Sequence, residues 1–286
     1  MSHLKIFIEL TRLNKPIGFM LLFWPCAWGL AYAYQVDQNV NLIVYHLILF
    51  FFGSVLMRSA GCIFNDIVDK DFDKKVKRTK SRPIASGKIS IKHSMVYVLS
   101  LCIMAFLILI QFNFFTILLG LGSMFFAFSY PFMKRITYWP QLFLGITFNW
   151  GLIMAWTSIT NIVYYEIFIL YFSAIFWTLG YDTIYGAQDM SDDEIIGLKS
   201  TAIKFKKNIK FFVFFSYLIS TLLMIYFFNN YIGINAFTFV FLLFICTLIF
   251  QIIKFDKQNQ KVCLEMFKMN NYSGLLLFLS IFAINL

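Results

Sequence analysis

The chain has 286 residues, of which 60% are hydrophobic, 20% are aromatic and 13% are charged. Soluble domains carry about 25% charged residues, so this composition excludes an ordinary soluble domain, a disordered chain and a disulfide-rich secreted scaffold. The net charge of +10 does not indicate nucleic-acid binding, because 23 of the 24 Lys and Arg residues fall in or beside alternate connections between apolar runs. That pattern is typical of a polytopic membrane protein.

Nine apolar runs are long enough to span a membrane, since a spanning helix needs about 20 mostly apolar residues. The runs are 16–35, 43–64, 94–111, 113–131, 139–157, 163–181, 209–228, 232–253 and 270–286. The basic connections place the N-terminus in the cytoplasm, and nine spans then place the C-terminus outside. We therefore predict an all-α bundle of nine transmembrane helices, folded as one domain over 1–286. Its cytoplasmic loops are 65–93, 132–138 and 182–208.

A first cluster of acidic residues follows the second span at its cytoplasmic end. Asn65, Asp69 and Asp73 lie four residues apart, and Asp66 precedes Asp69 by three and Asp73 by seven. Residues at these spacings share one face of a helix. Carboxylates crowded on one face repel each other, and a bound divalent cation would remove the conflict. Oxygen ligands favour Mg²⁺ or Ca²⁺.

A second acidic cluster follows the sixth span on the same side of the membrane. Asp182, Asp189 and Asp193 lie at i, i+7 and i+11, which again predicts a shared helical face. Mg²⁺ usually pairs one or two carboxylates with substrate phosphates, so two facing acidic clusters would suit a diphosphate bridged by Mg²⁺. The alternative is that these acids are solvated and merely offset very basic loops.

A diphosphate also requires positive charge from the protein. Arg58 lies within the second span, where a charged residue is costly and indicates function by default. Lys134 follows the fourth span and Lys199 follows the second acidic cluster, although both also fit simple anchoring at the cytoplasmic interface. Arg78 and Arg82 lie on the same side of the membrane, and the sequence assigns them no role.

Three motifs resemble those of the UbiA-type intramembrane prenyltransferases. Asn65-Asp66-x-x-Asp69-x-x-x-Asp73 resembles the first aspartate-rich motif of that family, and Asp189-x-x-x-Asp193 resembles the second. Tyr130-x-x-x-Lys134 resembles the YxxxK element. The resemblance covers nearly the whole chain and is closest to the branch that prenylates 4-hydroxybenzoate.

The resemblance implies an enzyme whose helices surround a central cavity open sideways to lipid. It would transfer a polyprenyl group from polyprenyl diphosphate to the ring carbon ortho to the hydroxyl of 4-hydroxybenzoate, releasing diphosphate, in ubiquinone biosynthesis. Asp69, Asp73, Asp189 and Asp193 would be the catalytic carboxylates. Mg²⁺ would be held by Asn65, Asp66, Asp69, Asp73, Asp182, Asp189 and Asp193.

The remaining assignments concern the two substrates and the location. Arg58, Lys134, Lys199 and Tyr130 would bind the diphosphate. Arg135 is the candidate for the aromatic carboxylate, because a guanidinium fork matches that group in a bidentate manner. The lipid bilayer is the expected surrounding and nucleic acid is not an expected partner. We expect a bacterial inner (plasma) membrane protein with its active site on the cytoplasmic side.

Two alternatives remain open at this point. A related prenyltransferase would use another acceptor, such as a naphthoate, a homogentisate or haem. A secondary transporter would also place charged residues within a helical bundle. Transporter sites lie near the membrane midplane, however, whereas these acidic clusters lie at the cytoplasmic ends of spans, which favours the enzyme.

Overall fold

The computed structural model describes residues 3–76 and 78–285, and this part of the chain is helical without a strand. Eight of the described helices are long and apolar enough to cross a membrane, and a ninth apolar helix, α2, has 17 residues. The α-helices are α1 (His3–Thr11), α2 (Ile17–Ala33), α3 (Val40–Val68), α4 (Lys70–Asp73), α5 (Ile91–Leu109), α6 (Phe114–Ile136), α7 (Pro140–Thr160), α8 (Tyr165–Gly186), α9 (Met190–Ile195), α10 (Thr201–Lys204), α11 (Ile209–Phe227), α12 (Ala236–Lys254) and α13 (Gln260–Phe282). The chain is therefore an all-α integral membrane protein, as predicted.

The predicted boundaries were wrong where polar residues continue a helix beyond its apolar run. The last span was predicted over 270–286, but α13 begins at Gln260. Its first turns contain lysines and glutamate, which hid the helix from a search for apolar runs. The side chain of Asn259 caps this start by accepting a hydrogen bond from the backbone N–H of Lys261 at 3.1 Å. Likewise α6 continues past the predicted end at residue 131 to Ile136.

Asparagine and serine side chains define the starts of several membrane helices. Asn39 accepts a hydrogen bond from the Leu42 N–H at the start of α3, and Ser90 accepts one from His93 at the start of α5. Asn113 and Asn235 cap α6 and α12 in the same way. A cap pairs backbone N–H groups that a helix leaves free in its first turn, so these polar residues fix where the helices begin.

The core of the bundle is built around α7 and α8, which are the most buried of the candidate spans. The most extensive helix pairs are α2 with α7, α8 with α11, α3 with α5, and α12 with α13. In contrast, α5 and α6 contact each other little although they are consecutive. Space is therefore left between α3, α5, α6 and α7.

A buried polar network joins four helices on the other side of the bundle. The indole N–H of Trp177 donates to Asn270 Oδ1 at 2.9 Å, and the Asn270 amide donates to Gln251 Oε1 at 2.9 Å. The hydroxyl of Tyr217 donates to the same Gln251 oxygen at 2.7 Å. Polar groups within a bilayer need internal partners, and this network supplies them while linking α8, α11, α12 and α13.

Helix α1 was not anticipated from the sequence. Its apolar residues Ile6 and Leu10, four positions apart, are buried against α3 and α5 in a cluster with Ile63 and Val98. Arg12 follows the helix with a left-handed backbone (φ 56°), which ends the helical run. The segment thus places a basic side chain at the C-terminal end of α3.

The close packing of α2 on α7 provides a test of the fold. A methyl group at Gly29 would lie 2.4 Å from the backbone carbonyl oxygen of Leu152, and a backbone atom in a packed helix pair cannot easily move away. Gly29→Ala is therefore expected to lower the free energy of unfolding by about 1–3 kcal/mol, seen as a lower Tm of the purified protein in detergent. Gly122→Ala is the control, because its methyl group meets no atom within 4 Å. Equal Tm values for both variants would contradict this packing.

Candidate active site

The two acidic clusters meet at one small pocket at the C-terminal end of α3, which we call the polar pocket. It has a volume of about 100 Å³. Asn65 and Asp73 line it from the first cluster, Asp189 and Asp193 from the second, and Lys134 from the end of α6. Residues more than 100 positions apart in sequence are therefore brought together around one space.

The first acidic cluster lies where α3 ends. Asp69 follows the last residue of α3 and Asp73 lies on the short helix α4. Asp66, Asp69 and Asp73 are all buried. Asp71, in contrast, is 83% exposed.

The second acidic cluster does not lie on one continuous helix, so the predicted shared face of Asp182, Asp189 and Asp193 was wrong. Helix α8 ends at Gly186, and Asp189 stands at the start of the separate helix α9, which carries Asp193. The break turns the chain so that Asp189 and Asp193 reach the polar pocket. Asp182 stays on α8, outside the lining of this pocket but within electrostatic reach of Arg58.

Basic side chains pair with the buried carboxylates of the first cluster. Arg12 donates to Asp66 Oδ1 at 2.6 Å. Arg82 donates through the same nitrogen to Asp66 at 3.0 Å and to Asp73 at 2.9 Å. Arg82 thus bridges two acidic residues seven positions apart. The sequence indicated no partner for Arg12 and no role for Arg82.

The carboxylate of Asp69 is completely buried and takes two basic partners from α6. Lys134 donates a short hydrogen bond to one oxygen, and Arg135 lies 3.4 Å from the other. The Arg135 guanidinium also donates to the backbone carbonyl of Val68 at 2.6 Å. These contacts attach the C-terminal end of α6 to the end of α3.

Arg78 connects the loop that follows the first cluster to the second cluster. Its Nε donates to Asp189 Oδ1 at 2.7 Å, and its terminal nitrogen bonds the other carboxylate oxygen. Such bidentate pairs are among the stronger hydrogen-bonded ion pairs in proteins. The sequence pattern showed no sign of it, because position 78 is one of many basic residues in this loop.

Burial raises the pKa of two carboxylates that lie outside the membrane helices. Burial, reinforced by the neighbouring Asp189, raises the pKa of Asp193 to about 6. The side chain of Asp193 has no hydrogen-bond partner among the described residues. Burial also raises the pKa of Asp73, although the charge of Arg82 opposes the change. In both cases burial is the main cause, and neighbouring carboxylates add to it.

The donor chemistry of the polar pocket fits Mg²⁺. Its acidic lining residues offer carboxylate oxygens, with the Asn65 amide beside them, and hard oxygen ligands are those that Mg²⁺ takes. Within residues 3–76 and 78–285, no three carboxylate, imidazole or thiol groups stand close enough to enclose an ion by themselves. Mg²⁺ usually binds one or two protein carboxylates and fills its other coordination positions with water and phosphate oxygens.

A larger cavity, which we call the apolar cavity, lies within the bundle next to the polar pocket. It has a volume of about 340 Å³ and lies between α3, α5, α6 and α7. Asn65, Arg78 and Arg82 line both spaces, so the two are adjacent. Arg12, Arg58, Tyr130 and Tyr185 are further polar lining residues, and most of the remaining wall is aliphatic or aromatic.

The candidate substrate-binding residues occupy different places. Arg58 lines the apolar cavity beside the Phe148 ring, at 5.5 Å from its centre, and its Nε has no hydrogen-bond partner in the described part of the chain. Tyr130 also lines this cavity. Arg135 and Lys199 line neither space. The Lys199 ammonium donates to the Ile136 carbonyl at 3.2 Å.

Comparison with known proteins identifies the family. Residues 22–278 match the family described as the UbiA prenyltransferase family. A 4-hydroxybenzoate octaprenyltransferase of Francisella tularensis subsp. novicida is 38% identical over 281 residues, which cover 97% of this chain and 96% of that protein. The motifs noted in the sequence lie within the matched range.

Two further comparisons agree with this. The mitochondrial 4-hydroxybenzoate polyprenyltransferase of Rattus norvegicus is 46% identical over 208 residues, or 72% of this chain. The match spans about half of that protein's length, at 55%. A solved UbiA homologue of Archaeoglobus fulgidus bound to DMAPP and Mg²⁺ has the same fold, with a TM-score of 0.74 at 17% identity, covering 97% of this chain and 98% of that one.

The double pairing of Arg82 predicts a large effect on stability. Arg82→Gln would leave the buried carboxylates of Asp66 and Asp73 without this cation, and loss of one partner from a buried pair costs about 3 kcal/mol or more. We expect a clear drop in Tm in detergent at neutral pH. Lys74→Gln is the matched control, since its pair with Asp71 is exposed and is worth about 1 kcal/mol or less. If the two variants lose equal stability, Arg82 does not neutralise the cluster.

Proposed function

The chain belongs to the UbiA prenyltransferase family, and we propose on that basis that it transfers a polyprenyl group from polyprenyl diphosphate to 4-hydroxybenzoate. The new bond forms at the ring carbon ortho to the hydroxyl, and diphosphate is released. The product would be an intermediate of ubiquinone biosynthesis. The name of the Francisella relative, which aligns along nearly its whole length, supports this choice of substrates.

One observation carries the proposal. The polar pocket, with its carboxylates and basic residues, lies next to the apolar cavity, and the two share Asn65, Arg78 and Arg82 as lining residues. A prenyl diphosphate has the same division into a charged head and an apolar tail. We place the diphosphate at the polar pocket and the prenyl tail in the apolar cavity. A transporter site would not need this combination.

Mg²⁺ is the metal that the donor set suits. The carboxylates of Asp66, Asp69 and Asp73, with the Asn65 amide, would hold one ion, and those of Asp189 and Asp193, with Asp182 as a further candidate, would hold another. Four of these carboxylates, those of Asp66, Asp69, Asp73 and Asp189, are already paired with basic side chains, so bound Mg²⁺ would supply the extra positive charge that a leaving diphosphate needs.

The residues of this chain contribute binding, orientation and exclusion of water. Lys134, Arg78 and Arg82 lie at the pocket and can turn from their carboxylate partners to phosphate oxygens. As the allylic C–O bond breaks, its electron pair leaves with the diphosphate, and positive charge develops on the prenyl carbon. The apolar wall excludes water from that cation. The ortho ring carbon then attacks and a ring proton is lost, which restores aromaticity.

The carboxylate of the aromatic acid needs a basic partner. Arg135 is the candidate from the sequence. Its guanidinium lies close to the pocket, although it is paired with Asp69 and hydrogen-bonded to the Val68 carbonyl. Arg58 is a second candidate. Its side chain lines the apolar cavity, and its Nε has no hydrogen-bond partner among the described residues. A buried donor without a partner is costly unless a ligand accepts its hydrogen bond. Lys199 remains a proposed diphosphate contact that would have to leave the Ile136 carbonyl.

The arrangement in the membrane follows from the charge pattern. We propose that α2 joins the eight longer helices as a ninth span, that the N-terminus and the polar pocket face the cytoplasm, and that the C-terminus lies outside. The chain would then form a single domain in a bacterial inner membrane. The basic residues near the pocket favour this orientation.

The decisive experiment is turnover by the purified protein in lipid nanodiscs. Radiolabelled 4-hydroxybenzoate and a prenyl diphosphate, with Mg²⁺, are expected to give a labelled lipid-soluble product, and chelation by EDTA is expected to stop it. A panel containing a naphthoate and homogentisate distinguishes other acceptors. Absence of product with every acceptor, together with substrate uptake by proteoliposomes, would instead support a transporter.

Substitution of the metal-binding candidates should stop turnover. Asp69→Asn and Asp189→Asn each remove a charge from the site, and we expect kcat to fall by about 100-fold or more because a developing charge loses its stabilisation. Asp71→Asn is the control from the same motif, since Asp71 is exposed and pairs with Lys74. Folding is checked by size-exclusion chromatography and Tm. Near-normal turnover of either variant at limiting Mg²⁺ would argue against these ligands.

The two candidate carboxylate receptors can be separated kinetically. The variant of the true receptor, Arg58→Gln or Arg135→Gln, should raise KM for 4-hydroxybenzoate by about tenfold or more, the cost of a lost charged hydrogen bond, with little change in KM for the prenyl donor. If a variant raises KM for the donor alone, that arginine contacts diphosphate instead. Phenol derivatives without a carboxylate serve as the control, since the variant of the receptor should not discriminate against them.

A further inference from the structure

Two glycines on α3 leave an open strip along the apolar cavity. Gly53 and Gly61 both line the cavity, and a methyl group built on either would meet no atom within 4 Å. Leu49, Met57 and Asn65 lie on the same side of the helix, at four-residue spacing with the glycines, and line the cavity too. The wall of α3 is thus recessed at two points by missing side chains.

The other two glycines that line this cavity have a different environment. A methyl group on Gly120 would lie 2.6 Å from a methyl of Leu109, and one on Gly151 would lie 2.4 Å from Cys26 Sγ. Gly120 and Gly151 therefore permit close packing between helices. Gly53 and Gly61 have no such packing reason, and a glycine within a helix costs about 1 kcal/mol relative to alanine. The open space itself is what they provide.

The two glycines lie at different distances from the polar pocket along the axis of α3. With a rise of about 1.5 Å per residue, Gly61 lies about 6 Å and Gly53 about 18 Å along α3 from Asn65. An extended isoprene unit has four backbone bonds of about 1.5 Å and advances about 5 Å. Gly61 is then level with about the first isoprene unit and Gly53 with about the fourth. Beyond Gly53, Phe50 and Phe112 are in ring contact at 4.7 Å.

We infer that Gly53 and Gly61 are specificity-determining residues for the length of the prenyl donor, because the donor tail runs along the strip of α3 that they leave open. The inference rests on the proposed function. It adds that the tail follows α3 past Gly61 to Gly53, rather than leaving the cavity sideways after its first units. A side chain added at Gly61 would then exclude shorter donor tails than a side chain added at Gly53.

The test compares Gly61→Leu and Gly53→Leu with wild type, using 4-hydroxybenzoate with dimethylallyl, geranyl, farnesyl and geranylgeranyl diphosphates. For Gly61→Leu, kcat/KM should fall by about tenfold or more from geranyl upward, the range for a pocket that excludes added methylenes. For Gly53→Leu, the dimethylallyl and geranyl donors should be used as by wild type, and the geranylgeranyl donor should lose about tenfold or more. The loss should lie mainly in KM.

Gly122→Leu is the matched control, because Gly122 lies on α6 with open space around it but does not line the cavity. It adds the same bulk and the same helix preference without filling the cavity, so its donor preference should equal that of wild type. The inference is overturned if Gly53→Leu and Gly61→Leu retain the wild-type order of donors, or if both lose every donor equally while Tm is unchanged. If wild type itself uses none of the donors, the proposed function fails first.

Discussion

The neutralisation of buried carboxylates at the C-terminal end of α3 is the constraint on which the rest of the site depends. Asp66, Asp69 and Asp73 are almost completely removed from solvent, and an isolated buried charge is too costly to persist. Each of the three is paired with arginine or lysine. Asp189 of the second cluster has its own arginine. The site is therefore close to neutral although it is rich in charge.

The neutralising groups come from separate parts of the chain, and this explains how the segments around the polar pocket are held together. Arg12 follows α1, Arg78 and Arg82 lie in the loop after α4, and Lys134 and Arg135 end α6. Each pair attaches one of these segments to the end of α3 or to α9. The loops over the pocket are consequently held by the same charges that would bind a substrate. Any phosphate that enters must compete with carboxylates for these cations.

The sequence was sufficient for the class of fold and for the location of the two acidic clusters, because both depend on local patterns. Runs of apolar residues located the eight long helices. The spacing of Asp66, Asp69 and Asp73 indicated a shared face, and the structure shows in addition that all three are buried. The sequence was insufficient where polar residues continue a helix, as at Gln260, and where a helix breaks, as after Gly186. Neither α1 nor the partners of Arg12 and Arg78 could be found, since these pairs join residues 54 and 111 positions apart.

The roles of the glycines also could not be predicted from the sequence. Gly29, Gly53, Gly61 and Gly151 all lie within apolar helices, and nothing in the neighbouring residues separates them. In the folded chain, Gly29 and Gly151 let helices approach closely, whereas Gly53 and Gly61 face open space. The first pair builds the bundle and the second shapes the cavity within it. An apolar cavity can persist at a bundle of this kind because α5 and α6 diverge, so that the recess in α3 is not filled from the opposite side.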